Sequence, residues 1–443
     1  MRNESKWIRY GILSGEVIEE PTWSACVQDV MQRAGQQEVT DEEILDWIEE
    51  AKQRYAPLDD HGMEALFDPR RQALPYHLFD GYVRGIVRMM NELGILTSYC
   101  CDGHGKRAAR VYTQDLLTNQ QRYLLRLAAD AVPGLTVSLQ SRWIQLEVRE
   151  QRSLLLDLAE VLYRIKQDAS TIQELELQRF RKRLLRWLAI PGQSRREQMV
   201  RSRVQQAVRR FADDSFIDEK GNLLVTYHQG KGPVILLSAH LDTVERIDSY
   251  RTLFQEGTIL TSSNGILGAD DRAGIAAILE LMERIPATDF RGTIKLAFSV
   301  EEEIGCRRGA EAMDASFLED VDAAIVFDRR GTRDIVTGCH GEFDFCETAF
   351  GACFEQAGLL NDMPDWRTTR YGGSSDAKLF ALRAIPAVNL SVGYLHEHTD
   401  FEQVDFAATL ETVRLVETLL HHRLLERYFA ERTENPTLGG YTD

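Results

Sequence analysis

The run Val234–Thr243, VILLSAHLDT, constrains this chain most, because consecutive aliphatic residues at 234–237 lead straight into two metal-capable side chains. A strand with one solvated face alternates apolar and polar residues, whereas an unbroken apolar run belongs to a sheet covered by helices on both faces. In such sheets chemistry collects beyond the carboxyl ends of the strands. His240 and Asp242 fall at that end and, being two apart, point the same way. Asp242 is therefore expected to accept a hydrogen bond from the imidazole nitrogen of His240 that a metal leaves free.

Later segments repeat the pattern of an apolar strand ending in metal-capable residues. In ILGADDRAGIAAILELM a carboxylate pair precedes a helical run. The helix dipole favours negative charge there, which makes Asp270 the candidate bridging ligand and Asp271 the helix cap. TIKLAFSVEEEIGCRRGA carries a strand into three glutamates, an arrangement that is costly unless cations offset it. Glu303 is the expected ligand, and Glu302 the expected general base. VDAAIVFD ends in Asp328, and AIPAVNLSVGYLHEHTDFEQVD ends in His396 and His398, either of which is a candidate ligand.

At 443 residues the chain exceeds one ordinary core, so two domains are expected. The division is placed near Asp168–Thr171. Residues 1–168 begin with helices, one opened by a capping box of Thr40 and Glu43, and continue in the order α-β-β-α-β-β-α of an α+β domain. Residues 169–443 read as an α/β unit, a central mixed, mostly parallel sheet flanked by helices. A formal net charge of -17 weighs against nucleic acid or an anionic membrane as partner. With no run of about 18 apolar residues and no apolar leader, a cytoplasmic protein is expected. The seven cysteines include no CxxC spacing. In SYCCDGHGKR, Cys100, Cys101, Asp102 and His104 allow a metal or phosphate site or a glycine-bearing turn with two half-buried cysteines. The turn is the expectation, since four donors so close in sequence cannot easily all reach one tetrahedral ion.

Together HLDT, GADDRAG, EEEIG, the strand-terminal Asp328 and the His-Thr pair of HEHTDFE resemble the di-zinc exopeptidase superfamily over roughly 172–425. That group includes bacterial leucyl aminopeptidases, peptidase T and acylase-type deacetylases. The resemblance implies two divalent cations, zinc with cobalt or manganese as alternatives. His240 and Asp328 would hold one, Glu303 and His398 the other, and Asp270 would bridge them. It implies Glu302 as the catalytic base, Asp242 as the carboxylate behind His240, and a cis peptide after Asp270. His398 is preferred over His396 because Thr399 follows it. Only about 70 positions separate Asp328 from His398, too few for the inserted lid domain of peptidase T, and GGSSDAKLFALRAIPAV resembles the lid-free leucyl aminopeptidase branch. Ser375, Asp376, His396 and Arg329 are the candidate substrate-binding residues. Arg329-Arg330-Gly331 departs from the small residues usual after the strand-terminal aspartate. Either arginine would receive a substrate carboxylate or neutralise neighbouring acids. The implied activity is removal of an N-terminal residue from a small peptide by a water activated between the two metals. Deacylation of an N-acyl amino acid and a catalytically inactive binding protein are the alternatives, and a homo-oligomer is allowed.

Overall fold

The computed structural model describes residues 7–12, 21–35, 38–55, 67–70, 74, 76, 79–148 and 151–434. By packing, the chain divides into two compact units, Met1–Arg179 and Phe180–Asp443. The division falls inside the helix Ser170–Leu188 and not at Asp168–Thr171. The reason is local: Ile172 and Leu175, on the first turns of that helix, still belong to the apolar core of the first unit. The apolar periodicity of the sequence predicts a helix over 78–93, and residue 78 lies outside the described residues.

The first unit holds a four-stranded antiparallel sheet in the order Thr97–Cys101, Ala109–Thr113, Trp143–Val148, Leu135–Leu139. Strand alternation buries Ala109 and Val111 on one strand and Ile144 and Leu146 on its neighbour. The helices Gly81–Glu92, Asn119–Asp130 and Leu154–Gln167 supply Val83, Ile86, Leu125, Leu158 and Leu162 to the same core. A smaller cluster gathers Trp23, Val27 and Val30 of Pro21–Ala34 with Ile44 and Ile48 of Asp41–Tyr55. Thr40 and Glu43 form the expected capping box, with the Thr40 N–H donating to Glu43 Oε2 at 2.8 Å and the Glu43 N–H donating to Thr40 Oγ1 at 3.3 Å.

The second unit is built on an eight-stranded sheet. Its order is Arg367–Thr369, Asp334–Val336, Ala387–Ser391, Ala323–Arg329, Val234–His240, Thr293–Ser299, Leu223–His228, Asp214–Ile217. The four strands from Ala387–Ser391 to Thr293–Ser299 run parallel, while antiparallel pairs appear toward the edges. Val234–His240 therefore lies between parallel neighbours, as its unbroken apolar run requires. A second, four-stranded antiparallel sheet orders Tyr394–Leu395, Gln403–Asp405, Ile259–Ser262 and Leu253–Glu256. The segment between Asp328 and His398 is filled by short strands and the helices Thr348–Leu360 and Asp376–Leu382, all inside this one unit.

Helix Ala269–Arg284 is buried almost along its whole length. It can lie close to the sheet because Gly274 carries no side chain where the Phe327 carbonyl and the Asp271 carboxylate approach. Gly274→Ala is expected to push helix and strand apart and to cost about 1–3 kcal/mol, the usual penalty of overpacking. Urea denaturation reads this as a lowered midpoint, and an unshifted midpoint would contradict the close approach.

Candidate metal centre

Three parallel strands deliver the principal side chains. His240 is the last residue of Val234–His240, Asp328 lies at the end of Ala323–Arg329, and Glu302 and Glu303 follow Thr293–Ser299 after a short turn. Glu301 turns that chain with a left-handed φ of 55°, a conformation uncommon for residues other than glycine. His398 comes from the loop between Tyr394–Leu395 and Gln403–Asp405 of the smaller sheet. Asp270 and Asp271 stand at the start of Ala269–Arg284, and the peptide between them is cis. Both have non-helical backbone angles, and Asp271 caps the helix by accepting the Gly274 N–H at 2.9 Å.

The carboxylate of Asp270 faces two ways. Its Oδ1 lies 2.9 Å from His240 Nε2, which is itself 3.6 Å from Asp328 Oδ1. Its Oδ2 lies 3.2 Å from His398 Nε2, which is 2.8 Å from Glu303 Oε2. Two imidazole–carboxylate pairs thus share one carboxylate, one oxygen each. His396 and His398 are both exposed and neither ring enters the potential metal-binding groups among the described residues, so His398 is set apart by its contacts with Asp270 and Glu303.

Asp242 does more than stand behind His240. Its Oδ1 is 3.3 Å from His240 Nδ1, which is buried without a hydrogen-bond partner. The same carboxylate accepts the backbone N–H groups of Glu302 at 3.0 Å and Glu303 at 3.1 Å, and the Ser194 hydroxyl at 2.8 Å. Fully buried, it ties the turn of glutamates to the strand that carries His240.

Electrostatics mark this region as short of positive charge. Burial, aided by the charge of Asp328, pushes the Glu302 carboxyl well above the usual range. Glu303 is pushed up to about 8 by burial and the charge of Asp270. Burial would also raise Asp270, yet hydrogen bonds from His240 and His398 hold it below the ordinary range. His398 is raised to about 9, first by its hydrogen bond to Asp270. Burial opposes the charge on His240, but Asp242, Asp270 and Asp328 outweigh it and hold the imidazole protonated far above its usual range. Carboxylates this crowded are stable only with protons or cations among them.

The donor set suits a metal. Glu303 Oε1 is buried without a hydrogen-bond partner, an expensive state for a carboxylate oxygen unless a cation meets it. Imidazole nitrogens with carboxylate oxygens form a mixed set that accepts zinc, cobalt or manganese.

The expected substrate-binding residues are placed differently. Asp376 is buried, accepts the Ser299 hydroxyl at 2.6 Å and shares a cluster with Glu302 and Cys306. Ser375 is also buried and accepts from Asn389 Nδ2 at 3.1 Å. Both side chains support the site from below. Arg329 lies 3.5 Å from Asp334 and Arg330 3.1 Å from Glu397, so both arginines neutralise neighbouring acids.

Two supporting groups were not anticipated from the sequence. Tyr394 donates its hydroxyl to Asp328 Oδ1 at 3.0 Å. Glu402, fully buried, accepts the N–H groups of Gly268 and Ala269 at 2.7 Å and of Asp270 at 3.0 Å. It stands four residues after His398 in HEHTDFE, but nothing in that spacing shows that a carboxylate there turns inward to hold backbone. Glu402→Ala leaves those N–H groups without an acceptor beside Asp270. We expect metal affinity to fall about 10–100-fold, as when outer partners of metal ligands are removed, in competition with a chromophoric chelator. Unchanged affinity would remove Glu402 from the support of the site.

The fold is an α/β sheet with imidazoles and carboxylates gathered at the carboxyl ends of its parallel strands, where they could hold a metal ion. Residues 236–422 match the family described as Peptidase family M20/M25/M40. Among sequence relatives, the Bacillus subtilis protein YqjE is 35% identical over 100 residues, 22% of this chain and 27% of that protein. A Peptidase T-like protein of Yersinia pestis is 35% identical over 95 residues, 21% of each chain. Peptidase T of Clostridium botulinum is 35% identical over 89 residues, 19% of this chain and 21% of that one. The matches thus span about a quarter or less of these relatives' length. The crystal structure of aminopeptidase PepT from Bacillus cereus shares the fold at a TM-score of 0.50 and 17% identity, over 55% of this chain and 98% of that one. Among the described residues no helix is long and apolar enough to cross a membrane.

Proposed function

We propose that this chain is a metal-dependent hydrolase of amide bonds, acting as an aminopeptidase on small peptides, with the second unit as the catalytic domain and the first as an accessory domain. The observation that carries this reading is the two-way carboxylate of Asp270, one oxygen toward His240 and the other toward His398. His240 and Asp328 would hold one divalent cation, Glu303 and His398 a second, and Asp270 both. Zinc is the proposed metal, with cobalt or manganese exchanging by availability. When bound, such a pair polarises the scissile carbonyl and makes a water acidic near neutral pH.

The protein's own part is proton traffic and positioning. Glu302 takes the proton released as water attacks the carbonyl carbon and gives it to the leaving amine nitrogen as the C–N bond breaks. Its raised proton affinity suits a group that must gain and lose a proton during the reaction. Asp242 holds the backbone of Glu302 and Glu303 in place, and Tyr394 and Asn389 steady Asp328 through its carboxylate and its peptide N–H. A lid-free catalytic unit is supported by the compact filling of the segment before His398. The seven cysteines are free thiols, which supports a reducing cytoplasmic setting.

Deacylation of N-acyl amino acids uses the same groups, so substrates decide between the readings. Purified protein loaded with zinc is expected to cleave aminoacyl-anilides faster than N-acetyl amino acids. Turnover of the acetylated set alone would overturn the aminopeptidase reading.

A further inference from the structure

We propose that the first unit carries its own binding site for a zinc-class divalent cation, formed by Asp80, Cys101 and His104. The run SYCCDGHGKR supplies only two of these donors, and the rest of its candidates are engaged elsewhere. Cys100 packs against the apolar core, and burial pushes its thiol up. Asp102 pairs with Arg152 at 2.5 Å. The crowding that argues against four neighbouring ligands therefore does not arise. The third donor, Asp80, comes from the residue before helix Gly81–Glu92 and reaches this turn by accepting the Asp102 N–H at 3.0 Å.

The geometry fits a cation. Potential ligand atoms of Asp80, Cys101 and His104 all lie within 4.8 Å of one another. Cys101 Sγ and His104 Nε2 are 3.9 Å apart. Zinc bonds of about 2.3 Å to sulfur and about 2.0–2.1 Å to nitrogen at a tetrahedral angle would separate the same atoms by about 3.6 Å. A shift of a few tenths of an ångström closes that gap.

The imidazole is also held as a ligand would be. His104 Nδ1 lies 3.3 Å from Asp102 Oδ1, so its Nε2 is the nitrogen turned toward the thiol. A carboxylate behind the far nitrogen fixes the tautomer and orientation of a metal-binding histidine. Asp102 is buried, and Arg152 both offsets its charge and stacks on Tyr82 at 4.1 Å. Its negative charge is thereby matched, and Cys101 and His104 each keep a donor atom facing Asp80. The turn itself is built around His104. This residue has a left-handed φ of 51° between Gly103 at 77° and Gly105 at 72°, which folds its ring back over Cys101. A Cβ at Gly103 would meet the Ala108 carbonyl oxygen at 3.1 Å. Three protein donors leave a tetrahedral ion one position for water or an external ligand.

The test uses the full-length chain and cobalt(II). Titration is expected to give a near-ultraviolet sulfur-to-cobalt charge-transfer band, which a site of imidazole and carboxylate alone cannot give. Cys101→Ser and His104→Ala are expected to lose this band and to bind less metal than the parent after identical loading, while aminoacyl-anilide turnover persists. The parent's band does not depend on any variant folding, and it remains readable if the proposed peptidase activity is absent. A parent chain without the band would overturn the proposal. So would a band surviving in Cys101→Ser, since Cys306, near Glu302 and Asp376, would then be its source.

Discussion

Glu302→Gln is expected to lower kcat on aminoacyl-anilides by about 10²–10⁴-fold, the range general acid–base catalysis supplies, with metal content unchanged. Glutamine keeps the shape of the side chain but cannot accept and return a proton at neutral pH. Metal should stay because the closest imidazole–carboxylate contacts join His240, Asp270, Asp328, Glu303 and His398, and none involves Glu302. Steady-state kinetics with metal analysis on the same sample separates the two effects. Full activity in the variant would remove Glu302 from the mechanism, and parallel loss of metal would make it a ligand.

Stripping the metal should have a comparably large effect, with a pH dependence whose direction is fixed. A chelator is expected to reduce turnover to background, and zinc, cobalt or manganese to restore it. The stripped protein should also melt at progressively lower temperature as pH rises from about 6 to about 9. Glu303 at about 8 and His398 at about 9 both lie above their unfolded values of about 4.3 and 6.5. The folded chain therefore binds more protons than the unfolded one across this window. That contribution is complete below the unfolded values and is lost as pH climbs through the folded ones. Bound metal reverses the trend, because its ligands must be deprotonated and protons compete with it. Thermal melts with and without chelator across this range give the comparison. A stripped protein that gains stability toward pH 9 would show that these groups are not crowded as described.

Much of the second unit could be read directly along the chain. The apolar runs 234–237 and 323–327 lack alternation, and only a two-sided covering of helices explains that. Carboxylates and histidines placed just after such strands announce a site at the sheet's rim. The α-β-β-α-β-β-α order of the first unit was equally legible, because alternation and capping are local signals. Side-chain direction was not. Ser375 and Asp376 look like substrate contacts in the motif but turn inward, and Arg329 turns to Asp334. Glu402 lies beside His398 in sequence yet serves backbone groups more than 130 positions earlier.

The order of residues by itself determined the parallel core and the placing of imidazoles and carboxylates at the strand ends. These depend on period, burial and spacing, which are properties of short segments. Tertiary structure decided which donors meet. It set His398 beside Asp270 and Glu303, gave each oxygen of Asp270 its own imidazole, and brought Asp80 from another element to Cys101 and His104. Such meetings depend on how a turn directs a side chain across several ångströms, and that direction is set by packing and hydrogen bonds between segments far apart in the chain.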